Sequence, residues 1–430
     1  MITKENGLRY AKLVHVSVDN GLTDNSNKVY IMEELSDGRI QCEYGRVGKN
    51  MTTVFKSRHE WDKILREKTS EKKGYTDVTE FLAEPVVDDT AKTSSVKKTD
   101  DIKNSAVKKL IDELMAFANK SIQKNYKVTQ DAVSEQQVLA AQEIIDKISA
   151  ILVLDVDKKL VNDMLLKLYT IIPRRMDNVR DYLVNEINDA KALENAQKFI
   201  GQEQSTLDTM AGQVQLIKQQ KAAAEAPEEE QVDQVTILDQ MGLSVEVEED
   251  KDTLALVTKL MGPNAHQIKK VFKVVNNKTQ KIFDKNYEQA KVKKRRLYWH
   301  GSRNENWFNI LQTGLLIRPS GAVHTGSMFG DGIYFADKAQ KSIGYSSLRG
   351  SYWTKGGDDK AFLALFDVHV GNQKEILHHT SSCYSLSASV LKKDNYDSVF
   401  AKGGADLRNN EYIVYNSAQC TVSHLIEIGN

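Results

Sequence analysis

The apolar periodicity of this 430-residue sequence changes twice along the chain, and each change restricts what the segment can become. Apolar residues alternate from about residue 8 to 56, recur at three and four from about 105 to 225, and return as short runs between glycine-rich turns from about 235 onward. Alternation fits a half-buried strand, whereas three-four spacing fits an amphipathic helix. A chain with both patterns in separate blocks is expected to be multidomain α+β, and its length fits two to four domains.

The first block holds LVHVSV and KVYIMEEL, two expected strands with an N-S-N turn between them. IQCEYGRVGK and TTVFK are expected to follow as strands, and HEWDKILREKTSEKK as a helix with Trp61, Ile64 and Leu65 on one face. These make a small N-terminal α+β domain over 1–84, followed by a polar linker over 85–104. The second block, 105–225, reads as an all-α helical bundle. Ser134 and Gln137 resemble a capping box, and Val138, Ala141, Ile145, Ile148 and Leu152 form an apolar stripe. An acidic stretch ended by Pro227 closes it, and residues 232–430 form a second α+β domain of nearly 200 residues. No repeat of 20 to 50 residues is visible, which disfavours a solenoid.

Composition narrows the function classes. Lys plus Arg and Asp plus Glu both number 59, so any basic surface must be local. The three cysteines, Cys42, Cys383 and Cys420, form no C-x-x-C pair, so neither a zinc ribbon nor a disulfide framework is expected and no metal is assigned. With no apolar leader and no run of about 18 apolar residues, the expectation is an intracellular protein with no membrane partner.

Three blocks of the last domain carry unusual residues. YWHGSR (298–303) ends a strand at His300, Gly301 and Ser302. GSMFGDGIYFADKAQKSIGYS (326–346) presents Tyr334 on a strand and then a helix expected to carry Lys341, with Ser342 and Tyr345 on one face. NNEYIVYN (409–416) starts a strand with Glu411. Singly, each has an ordinary explanation: a strand-end histidine is commonly structural, an isolated tyrosine commonly core, and the Gly330–Gly332 pair lacks the context of a dinucleotide fingerprint.

Together and in order, WHGS, FGDGIYFAD, KSIGY and NEYIVY resemble the poly(ADP-ribose) polymerase catalytic domain. The resemblance implies an ADP-ribosyltransferase fold of two packed antiparallel sheets, with NAD+ as consumed substrate. It implies that Glu411, His300 and Tyr334 are catalytic, and that Gly301, Ser302, Tyr345, Ser342 and Lys341 bind NAD+. In detail, Gly301 and Ser342 would hold the nicotinamide carboxamide, Tyr345 and Tyr334 would enclose the ring, and His300 with Ser302 would hold the adenosine ribose. Upstream, LYTIIP (168–173) resembles a phrase of the family's regulatory helical domain. YGRVGK (44–49) resembles its WGR domain, with Tyr44 in place of the naming tryptophan.

The WGR resemblance implies DNA with strand breaks or ends as a partner, with Tyr44, Arg46 and Lys49 as DNA-binding residues. From Arg46 to Lys73 nine basic residues face four acidic ones, a local phosphate-binding surface or, in the plainer reading, a solvated helix face. KVKKRR (291–296) reads as a strand approach or surface patch rather than a nuclear address. The expected function is DNA-break-stimulated poly(ADP-ribosyl)ation of proteins, including the chain itself, in the DNA damage response, with an accessory factor able to complete the acceptor site. Such a protein would work in the nucleus of a eukaryote, or in the nucleoid or cytoplasm of a bacterial or viral system. Mono-ADP-ribosyl transfer, NAD glycohydrolysis and a non-catalytic DNA-end scaffold are the alternatives. Asn409, where well-known polymerases often have tyrosine, and the short stretch from Ser381 to Asn410 are the departures from the family pattern.

Overall fold

A computed structural model describes residues 2–3, 7–18, 25–82, 102–126, 133–154, 156–225, 236–317, 328–352 and 354–430. Most of the linker expected over 85–104 lies outside them, as do the first residues of the segment expected from 232. The described residues fall into two compact units. One gathers those up to 94 with those between 121 and 214; the other gathers 95–120, 215–320 and 326–430.

In the first unit, β1 (Ile2–Thr3), β2 (Arg9–Val18), β3 (Asn25–Glu34), β4 (Arg39–Arg46) and β5 (Thr52–Ser57) lie in chain order in one antiparallel sheet. After α1 (Trp61–Lys68), the short β6 (Thr76–Asp77) pairs back onto β2. Alternation sends Ala11, Leu13, Tyr30, Met32, Ile40 and Cys42 to one face, where Trp61 and Ile64 of α1 seal them. The N-S-N sequence is not the turn. Asn25, Ser26 and Asn27 begin β3, and the buried Asn27 donates its amide to the Arg174 carbonyl at 2.8 Å.

The helical segment comprises α2 (Ser105–Tyr126), α3 (Glu135–Leu154), α4 (Lys158–Ile171) and α5 (Ala190–Glu225). α3 opens with the capping box expected at Ser134, whose hydroxyl accepts from Gln137 N–H at 3.0 Å while Gln137 Oε1 accepts from Ser134 N–H at 2.9 Å. Ala141, Ile145, Ile148 and Leu152 are buried against Val161, Leu165 and Leu168 of α4 and Ile200 and Leu207 of α5. Arg174, also buried, forms an ion pair with Glu203 and lies 4.4 Å over the Tyr169 ring.

The helical segment is not one body. The first part of α2 buries Val107, Leu110, Ile111, Leu114 and Ala118 in the same core as Phe272, Trp307, Phe362 and Phe366 of the second unit. Glu113 pairs with Lys360 there at 2.9 Å.

The second unit continues through α6 (Ile237–Met241), β7 (Leu243–Val247), α7 (Lys251–Met261), β8 (Ile268–Asn276), α8 (Asn277–Gln289), β9 (Arg295–Gly301) and α9 (Trp307–Thr313). After these come β10 (Ile333–Phe335), α10 (Ala339–Ile343), β11 (Lys360–His369), β12 (Gln373–Ile376), α11 (Ala388–Lys393), β13 (Ser398–Ala401), β14 (Glu411–Val414) and β15 (Cys420–Gly429). β7-β8-β15-β11-β9 form an antiparallel five-stranded sheet, and β10-β14-β13-β12 a four-stranded one. β11 is nearly all apolar because both its faces are covered: Phe362, Ala364 and Phe366 point into one core, Ala361, Leu363 and Leu365 into another beneath α7.

The expectation of two antiparallel sheets needs one correction. β12 runs parallel to β13, because the connection through α11 is long enough to return the chain in the same direction. Among the described residues no helix is long and apolar enough to cross a membrane.

Candidate active site

Among the described residues the two sheets of the second unit are joined by a bridge between Trp299 and Ala336, where each N–H donates to the other's carbonyl at 2.8 and 2.9 Å. That join sets the end of β9 beside β10 and brings His300 against the backbone of Tyr334. His300 Nδ1 lies 3.0 Å from the Tyr334 carbonyl, which can only accept, so Nδ1 carries the proton and Nε2 keeps its lone pair. Trp307, Phe335 and Phe366 ring the imidazole edge-on. Burial among them pushes its pKa below the usual histidine value, against the opposing pull of the Tyr334 carbonyl.

One residue on, a Cβ at Gly301 would stand 2.0 Å from the Ser342 carbonyl oxygen. Only glycine lets the end of β9 come this close to the backbone of α10. Ser302 accepts a hydrogen bond from the Asn306 amide at 3.0 Å. Tyr334, on β10, donates its hydroxyl proton to the Gly330 carbonyl at 2.8 Å and accepts from Phe329 N–H at 3.0 Å. Burial first, and Glu411 among the smaller causes, raises its pKa far beyond the ordinary phenol range, so it stays a neutral donor.

The helix carrying Lys341 and Ser342 is shorter than expected. α10 ends at Ile343, and Tyr345 lies in the following turn, its N–H donating to the Ser342 carbonyl at 3.0 Å. Ser342 is buried, and Tyr345 is half-buried, its phenol pushed up to about 12 by burial and then by Glu411.

Glu411 is the first residue of β14 and is 8 % exposed. Its Oε1 accepts a close charged hydrogen bond from Lys341 Nζ, while its Oε2 is buried with no hydrogen-bond partner among the described residues. A buried carboxylate oxygen left unpaired is costly unless a ligand donor meets it. Close approaches join His300 to Tyr334, Gly301 to Ser342, Ser342 to Tyr345 and Lys341 to Glu411, and adjacency along β9 and α10 connects these pairs, with Ser302 next in chain.

Sequence reasoning passed over the brace behind this cluster. Asp337 Oδ2 accepts from the Asn410 amide at 2.7 Å, and Asn410 Oδ1 accepts from Gly403 N–H at 2.8 Å. The start of the Glu411 strand is thereby tied to the residue leading into α10. The Asn-Glu pair was visible in the sequence, but the partner 73 residues away was not.

The residues expected to meet DNA are placed differently from one another. Tyr44, 37 % exposed, stacks on Tyr30 at 5.5 Å between ring centres. Arg46 turns to the segment after α4, donating to the carbonyls of Met176 at 3.0 Å and Asp177 at 2.7 Å and to Asn25 Oδ1 at 2.7 Å. Lys49 pairs with the Asp177 carboxylate at 3.0 Å.

The sequence matches the family described as the poly(ADP-ribose) polymerase catalytic domain over residues 248–430. It is 35% identical over 162 residues to a poly [ADP-ribose] polymerase-like protein, 100L, of Invertebrate iridescent virus 6, covering 37% of this chain and 84% of that one. Protein 101L of the same virus is 32% identical over 208 residues, 48% of this chain and 77% of its own length. Poly [ADP-ribose] polymerase 2 of Homo sapiens is 33% identical over 162 residues, 31% of this chain but only 26% of the human protein.

Proposed function

This chain belongs to the poly(ADP-ribose) polymerase family and is an NAD+ ADP-ribosyltransferase, and from that premise we propose that it builds poly(ADP-ribose) on protein acceptors, itself included, when it meets DNA ends. The reaction breaks the bond between ribose C1′ and the nicotinamide nitrogen through a cation-like transition state, as in glycoside cleavage. Nicotinamide leaves with the bonding pair, and an acceptor oxygen adds at C1′ while giving up its proton.

The observation that carries this reading is the orphaned Glu411 Oε2 beside the Lys341-bound Oε1. A carboxylate with one oxygen fixed and the other waiting for a donor suits a ribose 2′-hydroxyl or an incoming acceptor hydroxyl, and its charge steadies the developing cation. Gly301, the only residue type tolerated against Ser342, leaves main-chain groups for the carboxamide. The rings of Tyr334 and Tyr345 supply faces for the pyridinium, an attraction of about 0.5 to 2 kcal/mol. His300, neutral and with Nε2 as acceptor, accepts a hydrogen bond from a hydroxyl of the adenosine ribose. On this reading the protein works wherever broken DNA is found, the nucleus of a eukaryotic host or the nucleoid or cytoplasm of another.

Gel separation after incubation with labelled NAD+ and blunt or nicked duplex tests this. A ladder of labelled species is expected. One discrete shifted band would replace polymerisation by single-unit transfer, free ADP-ribose would replace it by hydrolysis, and no consumption of NAD+ would leave a scaffold.

A further inference from the structure

The basic run at 291–296 is not spent on the transferase site. Its residues alternate along the approach to β9, so neighbours point opposite ways. Arg295 faces one side, paired with Asp367 at 3.3 Å and lying 5.2 Å over the Tyr287 ring. Lys294 and Arg296 face the other, where with Tyr298 they line a cavity of about 580 Å³, within the range typical of small-molecule sites. β12, β13 and β14 supply the remaining wall through Gln373, Phe400 and Tyr412.

We infer that this cavity binds a nucleoside diphosphate, separately from the transferase site. Three observations carry it. First, the cavity has an excess of donors: Lys294 and Arg296 have no carboxylate partner among the described residues, and Glu375, the acidic residue lining it, is neutralised by Lys402 at 3.2 Å. Second, the Gln373 Nε2 amide is buried without a hydrogen-bond partner, while Lys294 Nζ donates to its Oε1 at 2.9 Å and so fixes which way the amide points. Two cations two residues apart plus a stranded amide donor suit the oxygens of a diphosphate. Third, Tyr298, Tyr412 and Phe400 form a stack, with ring centres 4.1 and 4.9 Å apart, ending at the half-buried Phe400. A heterocyclic base continues such a stack.

Tyr412 follows Glu411 on β14, so its side chain leaves the opposite face of the strand, and the cavity is a second site rather than an extension of the first. That ADP-ribose, the repeating unit of the product, is the natural occupant rests on the transferase reading. The recognition of a nucleoside diphosphate does not.

Calorimetric titration of the intact chain tests the assignment, with ADP, ADP-ribose, adenosine and inorganic pyrophosphate as probes. ADP and ADP-ribose are expected to bind, adenosine and pyrophosphate each about tenfold or more weakly. Lys294→Ala with Arg296→Ala should weaken ADP by about tenfold or more, since charge-assisted contacts are lost, without changing NAD+ turnover. Phe400→Leu should weaken ADP but not pyrophosphate. Should the double variant lose its melting transition, Arg296→Gln alone, at an exposed position, makes the same comparison. ADP affinity unchanged by these substitutions, pyrophosphate binding as tightly as ADP, or displacement of ADP by a lower concentration of single-stranded oligonucleotide would each overturn the inference. ADP binding that depends on Arg296 in a protein that does not consume NAD+ would sink the transferase reading and leave the cavity standing.

Discussion

The Lys341–Glu411 pair shows why single residues matter in this site: two opposite charges, both largely buried, are held against one another with one carboxylate oxygen left over. Glu411→Gln keeps the shape and loses the charge. It is expected to leave NAD+ affinity little changed and to lower the turnover number by about 10²- to 10³-fold, the usual cost of removing a group aimed at transition-state charge. Polymer of ordinary length from that variant would remove Glu411 from the mechanism. A second expectation concerns acid. His300 and His424 both have pKa values lowered chiefly by burial. Below about pH 6.5 the unfolded chain takes up protons on these imidazoles that the folded chain does not, so stability is whole above that pH and declines as pH falls below it. Melting temperatures between pH 7.5 and 5 should fall less steeply for His300→Gln with His424→Gln than for the parent, and parallel slopes would contradict the assignment.

Among the elements, those whose instructions are local were legible in the sequence. The β2 to β5 strands, the capping box of α3 and the strands bearing His300, Tyr334 and Glu411 follow from alternation, caps and glycine positions a few residues wide. Features that depend on distant partners were not legible. Nothing near Asn25 says that its side chain receives Arg46, and nothing near α2 says that its apolar face is completed by the sequence-distant Trp307 and Phe362 rather than by α3. The brace from Asp337 to Asn410 is hidden for the same reason. Arg46 gives the element-scale prediction. Its guanidinium joins the end of β4 to the backbone after α4, two parts of the same unit separated by 130 residues. Arg46→Ala should reduce DNA-stimulated turnover far more than basal turnover, measured as NAD+ consumed with and without blunt duplex. Equal losses would point to a folding defect.

At the scale of the whole molecule, the family resemblance implies that the helical segment restrains the transferase until DNA is bound. Such a switch requires only that DNA bind one state better: moving a 1:99 equilibrium to 99:1 takes about 5.5 kcal/mol. The restraint cannot be all of residues 105–225, because the first part of α2 completes the transferase core; a chain beginning at 232 would expose the partners of Leu110, Ile111 and Leu114, each side chain worth about 1.5 to 3 kcal/mol of burial. If such a restraint operates, α3 with its neighbours would be the element that loosens, and amide exchange from Leu139 to Leu152 should then accelerate in the intact protein when broken DNA is added, while α2 between 105 and 118 stays protected. Equal protection of α3 with and without DNA would remove the restraint.

The most direct test of DNA-stimulated transfer through Glu411 is the initial rate at which label passes from NAD+ to protein in the intact chain as blunt-ended duplex is titrated in. A low rate is expected without DNA, with a saturable rise that tracks the concentration of ends rather than of base pairs, and with loss of the signal in Glu411→Gln at every DNA concentration. A rate indifferent to DNA, or one that survives the loss of the Glu411 charge, would contradict it.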